Sequence, residues 1–398
     1  MELEAIIELS EKKIRNTSMS FIRPVIKNID WNDRLISIVG PRGSGKTTLM
    51  LQHMKESYGS SEALYMSLDN IFFSKNKLLE TADRFVKLGG KAIYLDEVHK
   101  YPDWSIELKN LYDDYPELKV VFSGSSMLEL FRGHGDLSRR LSTYYLPTLS
   151  FREFIELEHK VVFPAYKLED LLRDHVDIAH TVTAKIKPLA LFEKYLNYGA
   201  FPFFKDSPAR YHERLLNIVN LILESDLPSI TPVDYSHVIK IKRILKIISE
   251  SVPYKPNITK LAAMAEIDRK SVLKYLDLLN RARLIHILKS DAAGDSILTK
   301  PQKIYLGNPN LMFALCDEKP NYGTLRETFF FDQLSSRHLV SESHVSDFTI
   351  DKKYTFEIGG RTKNGSQIAG TTNGFVASDN LEYGYANHIP LWLFGFLY

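Results

Sequence analysis

Cysteine is almost absent from this chain: Cys316 stands alone. A single thiol excludes an intramolecular disulfide and a zinc cluster built from several thiolates. An excess of charge of one sign is lacking too. Lys and Arg total 51 against 49 Asp and Glu, a formal net charge of +2. Any attraction for nucleic acid must therefore come from a local patch. No apolar run approaches the length that spans a bilayer. The closing "IPLWLFGFLY" is too short and reads as a buried terminal strand. The opening "MELEAIIELSEKKIRN" has no basic start followed by an apolar core, so no secretory signal is expected. Internal repeats and low-complexity tracts are missing as well. These absences lead to the expectation of a cytoplasmic protein with no membrane partner.

What is present is an ordinary globular composition, 44% hydrophobic and 25% charged over 398 residues, enough for two or three domains. Leu35 to Val39 is a short apolar run of the kind buried on both faces of a sheet. Directly after it comes G-x-x-x-x-G-K-T, followed by a helix-like stretch that stops at Gly59. Strand, glycine loop and helix together are the context this motif requires. Glycines let backbone curl around a phosphate, and loop and helix N–H groups point at the anion. Gly40, Pro41, Arg42, Gly43, Ser44, Gly45, Lys46, Thr47 and Thr48 are the candidate nucleotide-binding residues. Lys46 is suited to the β- and γ-phosphates, and Thr47 to Mg²⁺.

A second apolar strand, "KAIYLDEVHK", ends in Asp96 and Glu97. Ligands of open parallel sheets bind at that edge. Asp96 is expected to hold Mg²⁺ through water, and Glu97 to take a proton from the attacking water. A third strand, "LKVVFSGSSMLEL", ends in hydroxyls. Ser123 or Ser125 is placed to orient that water, and Ser125 or Ser126 equally to cap a following helix. The adjacent Arg139 and Arg140 are candidates for stabilising charge on the transferring phosphoryl group, from the same chain or from a neighbour. Alternating strands and helices imply a doubly wound parallel sheet.

The runs "GPRGSGKTTL", "YLDEVHKYPDW", "VVFSGSS" and "LSRRL…YLPTLSFREF" resemble the AAA-type ATPases that carry a C-terminal domain known as DUF4143. In that family L-A-G-R precedes L-x-P-L-S-F-x-E. Arg140 matches the family arginine, and Arg139 stands where glycine is usual. The resemblance implies ATP as the nucleotide. It extends to "LFEKYLNYGAFPFFKD", "KPQKIYLGNPNLMFAL" and "GTLRETFFFDQL".

Beyond residue 160 the pattern turns helical. "NITKLAAMAEIDRKSVLKYLDLLNRARLIHIL" reads as helix, turn, helix and strand, a winged helix-turn-helix order. Asn257 or Thr259 can start the first helix and Asp268 the second, with Val272, Leu273 and Leu276 facing the core. Arg269, Lys270 and Lys274 then lie on the recognition helix. From Lys240 to Lys289 there are 12 Lys plus Arg and 4 Asp plus Glu, a local excess of 12 − 4 = +8. Such a patch fits phosphate backbones, and it equally fits a protein-facing or solvated surface. Near the C-terminus, Asp347 and Glu357 are spaced as in a nuclease-like D…E-x-K fold that binds Mg²⁺. The lysine expected two places after Glu357 is missing, because Gly359 stands there; Arg361 and Lys363 are the candidate substitutes, and both lie beyond the strand. Catalysis is therefore not expected there.

The expected organisation is a phosphate-loop ATPase domain over 1–160, a helical linker over 161–235, a winged helix over 236–295 and an inactive nuclease-like α+β domain over 296–398. The expected function is Mg²⁺-dependent ATP hydrolysis that drives a C-terminal module on DNA. An arginine acting in trans would require a homo-oligomer. The alternative is a nucleotide-gated switch or protein-interaction ATPase with little turnover and no DNA contact. A small-molecule kinase is a third possibility, and it has no need of Glu97.

Overall fold

Ile36, Ile38 and their neighbours in the first apolar run alternate between two cores, which is why this segment becomes a fully buried strand. In the computed structural model, residues 3–59, 61–124, 137, 139–230, 235–289 and 301–398 are described. Ser125 and Ser126 lie outside them. The chain divides into two compact units, Met1–Thr148 and Leu149–Tyr398.

The first unit is built on five strands: β1 (Leu35–Val39), β2 (Ala63–Ser67), β3 (Ala92–Asp96), β4 (Lys119–Gly124) and β5 (Ser142–Tyr145). All pair in parallel, in the order β2-β3-β4-β1-β5. The pleat sends Leu35, Val39, Ile93, Leu95, Val120 and Phe122 to one face. There they meet α3 (Leu78–Lys87) and α4 (Trp104–Asp114) through Phe85, Trp104 and Leu108. Ile36, Ile38, Tyr94 and Val121 go to the other face, against Leu49, Met50 and Met54 of α2 (Lys46–Ser57). Each such aliphatic side chain stabilises the sheet by about 1.5–3 kcal/mol when fully buried. The helix α1 (Leu3–Asn16) packs against β2, where the Ser10 hydroxyl accepts the Tyr65 amide at 2.9 Å.

The second unit is helical before it is a sheet. Helix α5 (Phe151–His159), which the sequence placed with the ATPase domain, packs inside this unit. Ser150 and Glu153 form its capping box, and the Ser150 hydroxyl donates to the Tyr398 carbonyl at 2.9 Å. Helices Ile258–Ala265 and Arg269–Arg281 are followed by an antiparallel pair, β6 (Ile285–Leu288) and β7 (Lys303–Leu306). Asn257 caps the first helix, and Asp268 the second, by accepting the amides of Lys270 and Ser271. A mixed sheet closes the chain: β8 (Val340–Glu342), β9 (Phe348–Ile350), β10 (Tyr354–Gly359), β11 (Gly374–Ser378) and β12 (His388–Pro390). Its β10-β11-β12 part is parallel, although the sequence signalled no parallel strands beyond the first domain. The terminal apolar run is not a strand past Pro390. Leu391–Phe396 coils into a tight 3₁₀ turn with all six residues buried. A Cβ on Gly395 would lie 2.4 Å from the Phe151 Cβ, so only glycine allows that turn to seat on α5. No helix among the described residues is long and apolar enough to cross a membrane.

One buried histidine makes the first unit pH-sensitive. His53 of α2 stacks on Trp31 at 3.5 Å between ring centroids and meets the Tyr94 hydroxyl at 2.5 Å. Burial first, and the nearby Lys119 charge second, push its pKa down to about 4 from 6.5. The unfolded imidazole takes up a proton that the folded one refuses, so the stabilisation is complete above pH 6.5 and fades as pH falls towards 4. The parent should lose about 2 kcal/mol more than His53→Gln in denaturant unfolding between pH 7 and pH 5. Equal losses in the two proteins would overturn this assignment.

Candidate active site

The loop after β1 is shaped by glycine at three places. A Cβ on Gly40 would stand 2.1 Å from the Leu146 carbonyl oxygen, so the loop lies tight against the segment leaving β5. Gly43 and Gly45 have φ of 84° and 97°, left-handed values that cost a side-chain-bearing residue energy. Gly45 leads straight into α2, whose first amides have no partners within the helix and suit an anion. Pro41 and Ser44 are buried, Arg42 and Thr47 are half-buried, and Gly43 and Thr48 are exposed. Lys46 is buried, and its ammonium donates to the carbonyls of Gly40 and Pro41, both at 2.9 Å.

The carboxylate of Asp96, at the end of β3, gathers donors from several elements. Thr47 Oγ1 donates to Oδ2 at 2.6 Å, and Tyr65 Oη to the same oxygen at 2.9 Å. The Ser123 hydroxyl, at the end of β4, and the Glu97 amide at 3.1 Å serve Oδ1. Thr47, Asp96 and Ser123 are thus brought together. Tyr65 is a further member that sequence reasoning missed: a tyrosine in an edge strand looks like ordinary β propensity. Burial, and then the Asp96 charge, push its phenol pKa well above the usual value, so it remains a donor.

Glu97 follows with φ of 53°, a left-handed conformation that turns its side chain out of the strand register. It lies 3.9 Å from Arg42 and 3.3 Å from His99. The residues of this edge fit a hydrated divalent cation: a threonine hydroxyl hydrogen-bonded to an aspartate, with a second carboxylate beside them.

Arg140 sits apart from this edge. Ile36 pairs with Ser142 and Val39 with Tyr145, so Arg140 precedes the start of β5, at the edge of the sheet opposite the loop. The four paired residues alone span roughly 13 Å of strand. Arg140 grips Asp113, at the far end of α4, through two hydrogen bonds of 2.9 and 3.1 Å. It does not meet the loop of its own chain. Arg139 is exposed beside it.

In the second unit, Arg269, Lys270 and Lys274 are all exposed on one helix. None of the three has an ion pair among the described residues. Much of the neighbouring basic excess is already paired: Lys242 with Glu224, Arg243 with Glu266 and Arg281 with Asp277. Val272 and Leu276 are buried and Leu273 is half-buried. Asp347 Oδ2 accepts the Ile358 amide at 2.7 Å. Glu357 is buried and lies 3.1 Å from Lys363 Nζ. A Cβ on Gly359 would run into the Lys363 side chain at 2.7–2.9 Å, so that lysine fills the space above the glycine. Among the described residues no group of three or more His, Cys, Asp or Glu is arranged to hold a metal.

Residues 32–155 match the family model of the AAA domain. Residues 189–322 match a domain of unknown function, DUF8612, where the resemblance had implied DUF4143. No curated protein matches the chain. Among solved structures, the Walker-type ATPase PABY2304 of Pyrococcus abyssi is 13% identical, with a TM-score of 0.43, covering 77% of this chain and 95% of that one. NtrX from Brucella abortus, solved with ADP, is 17% identical at a TM-score of 0.30, covering 69% and 72%. DnaA from Aquifex aeolicus, bound to AMPPCP, is 16% identical at 0.25, covering 70% and 90%. The matched stretch holds the glycine loop, the acidic strand end and the parallel sheet, so residues 32–155 form an AAA-type domain.

Proposed function

We propose that the chain binds ATP with Mg²⁺ and hydrolyses it, and that Arg140 completes the site of a second copy. The observation that carries this is the convergence on Asp96 of Thr47 from the loop, Ser123 from β4 and the Glu97 amide. Thr47 and Asp96 would hold the metal, which supplies charge neutralisation on the phosphates when bound. The loop amides and Lys46 bind and orient the phosphates. Glu97 accepts the proton of the attacking water, whose oxygen forms a new bond to the γ-phosphorus as the bond to ADP breaks. Ser123 holds the Asp96 carboxylate in place and so acts as a positioning residue.

A second possibility, a nucleotide-gated switch with little turnover, draws support from Glu97. Its carboxylate already lies 3.9 Å from Arg42 and 3.3 Å from His99, contacts that tie it to the protein and not to a water. Glu97→Gln separates the two. ATP affinity by calorimetry should persist while phosphate release falls by about 10²-fold or more. Release at the parent rate would remove Glu97 from the chemistry.

The position of Arg140 makes it a candidate for action across an interface between copies. Arg140→Ala should cut hydrolysis with little loss of ATP affinity, because the guanidinium matters most as charge develops. Mixing it with Lys46→Ala, which keeps an intact arginine, should restore part of the activity. A mixture no more active than its components would refute action in trans.

The helix bearing Arg269, Lys270 and Lys274 is proposed as the recognition helix of a winged helix that touches DNA backbone. Its cations are exposed and outside ion pairs among the described residues, which is what phosphate contact requires. Binding should weaken steeply with salt, and the triple alanine variant should lose both affinity and part of the salt slope. A folded triple variant that binds like the parent at every salt concentration would refute the assignment.

A further inference from the structure

Arg23 lies ahead of the stretch that matches the AAA domain, in a loop the sequence gives no reason to single out. It is nonetheless almost fully buried, with 4% exposure. Its guanidinium spreads over three backbone carbonyls: Nη1 donates to Ser44 and to Pro147, and Nη2 to Thr148, each at 3.1 Å. Ser44 belongs to the phosphate loop. Pro147 and Thr148 close the first unit, just past the Leu146 carbonyl on which Gly40 rests. A buried cation is costly unless its donors are used, and this one uses them on backbone.

The peptide joining Ser44 to Gly45 is a rigid plane in which C=O and N–H point in opposite directions. Fixing the Ser44 carbonyl on Arg23 therefore fixes the Gly45 N–H towards the other side, where α2 begins. Gly43 and Gly45 flank Ser44 with left-handed φ values, and glycines leave such a peptide free to flip. A flipped peptide would turn a carbonyl oxygen, not an amide hydrogen, towards a phosphate. We propose that Arg23 is a positioning residue that locks the Ser44–Gly45 peptide in its phosphate-accepting orientation by tying it to Pro147 and Thr148. The proposal rests on the ATP-binding role given above and adds a residue to it.

Arg23→Lys keeps the charge but replaces a fork with a single ammonium, which cannot span three carbonyls in the same geometry. Arg23→Gln provides a second, neutral variant should the first fold poorly. The experiment is calorimetric titration of parent and variants with ATP and with ADP, alongside thermal unfolding without nucleotide and steady-state hydrolysis. Both affinities should drop by the same factor, about tenfold, because ATP and ADP share the β-phosphate that the loop amides serve. The nucleotide-free unfolding midpoint should fall, yet titrations run well below it, where every variant is folded, should still show the affinity loss, and the loss in hydrolysis should appear in KM and not in kcat. Lys46→Ala, by contrast, should weaken ATP more than ADP. Variants that bind both nucleotides like the parent would overturn the proposal. So would an affinity loss confined to temperatures near the unfolding midpoint, since that marks a general structural residue. A parent that binds neither nucleotide would overturn the ATP-binding role itself, and the Arg23 proposal with it, which is a different result from a binding-competent parent with indifferent variants.

Discussion

One carboxylate ties the loop-bearing edge of the first sheet together. Asp96 accepts hydrogen bonds from Thr47 on α2, Tyr65 on β2, Ser123 on β4 and the amide of Glu97 on its own turn. A buried charge at a sheet edge is tolerable only when its lone pairs are satisfied. Here that satisfaction has a structural consequence. Three neighbouring strands and the start of the loop helix are held at one point. Displacing any one of them removes a hydrogen bond from a charge inside the protein.

The rest of the first unit serves that point. Strands that are apolar on both faces can carry helices on both faces, and a doubly covered parallel sheet presents its carboxyl edge as the open place. The loop adds what the strands cannot. Its glycines permit a close approach to Leu146, and its buried Ser44 carbonyl is held from behind. Lys46 completes the loop by spanning its own carbonyls. The proposed site and the fold therefore draw on the same contacts in this unit.

How far the sequence disclosed this depended on the range of each contact. The loop, Asp96 and Glu97 were legible as candidates because short motifs reflect local backbone shape. Tyr65 and Arg23 were not, since each acts by meeting residues far along the chain, and neither leaves a local pattern. Arg140 was legible as a candidate but not in its place: only the register of β5 against β1 shows which edge it occupies. The missing lysine after Glu357 was read correctly at Gly359, yet only the folded turn shows Lys363 reaching back over that glycine. The terminal apolar run misled because helix and strand cannot be told apart by periodicity when every side is buried.

The central claim is that the edge around Asp96 is a working hydrolytic site, and the most direct measurement is phosphate release by the full chain under saturating ATP. The account predicts steady release that requires Mg²⁺ and stops when a chelator removes it. Tight ATP binding with no release in the presence of Mg²⁺ would contradict it.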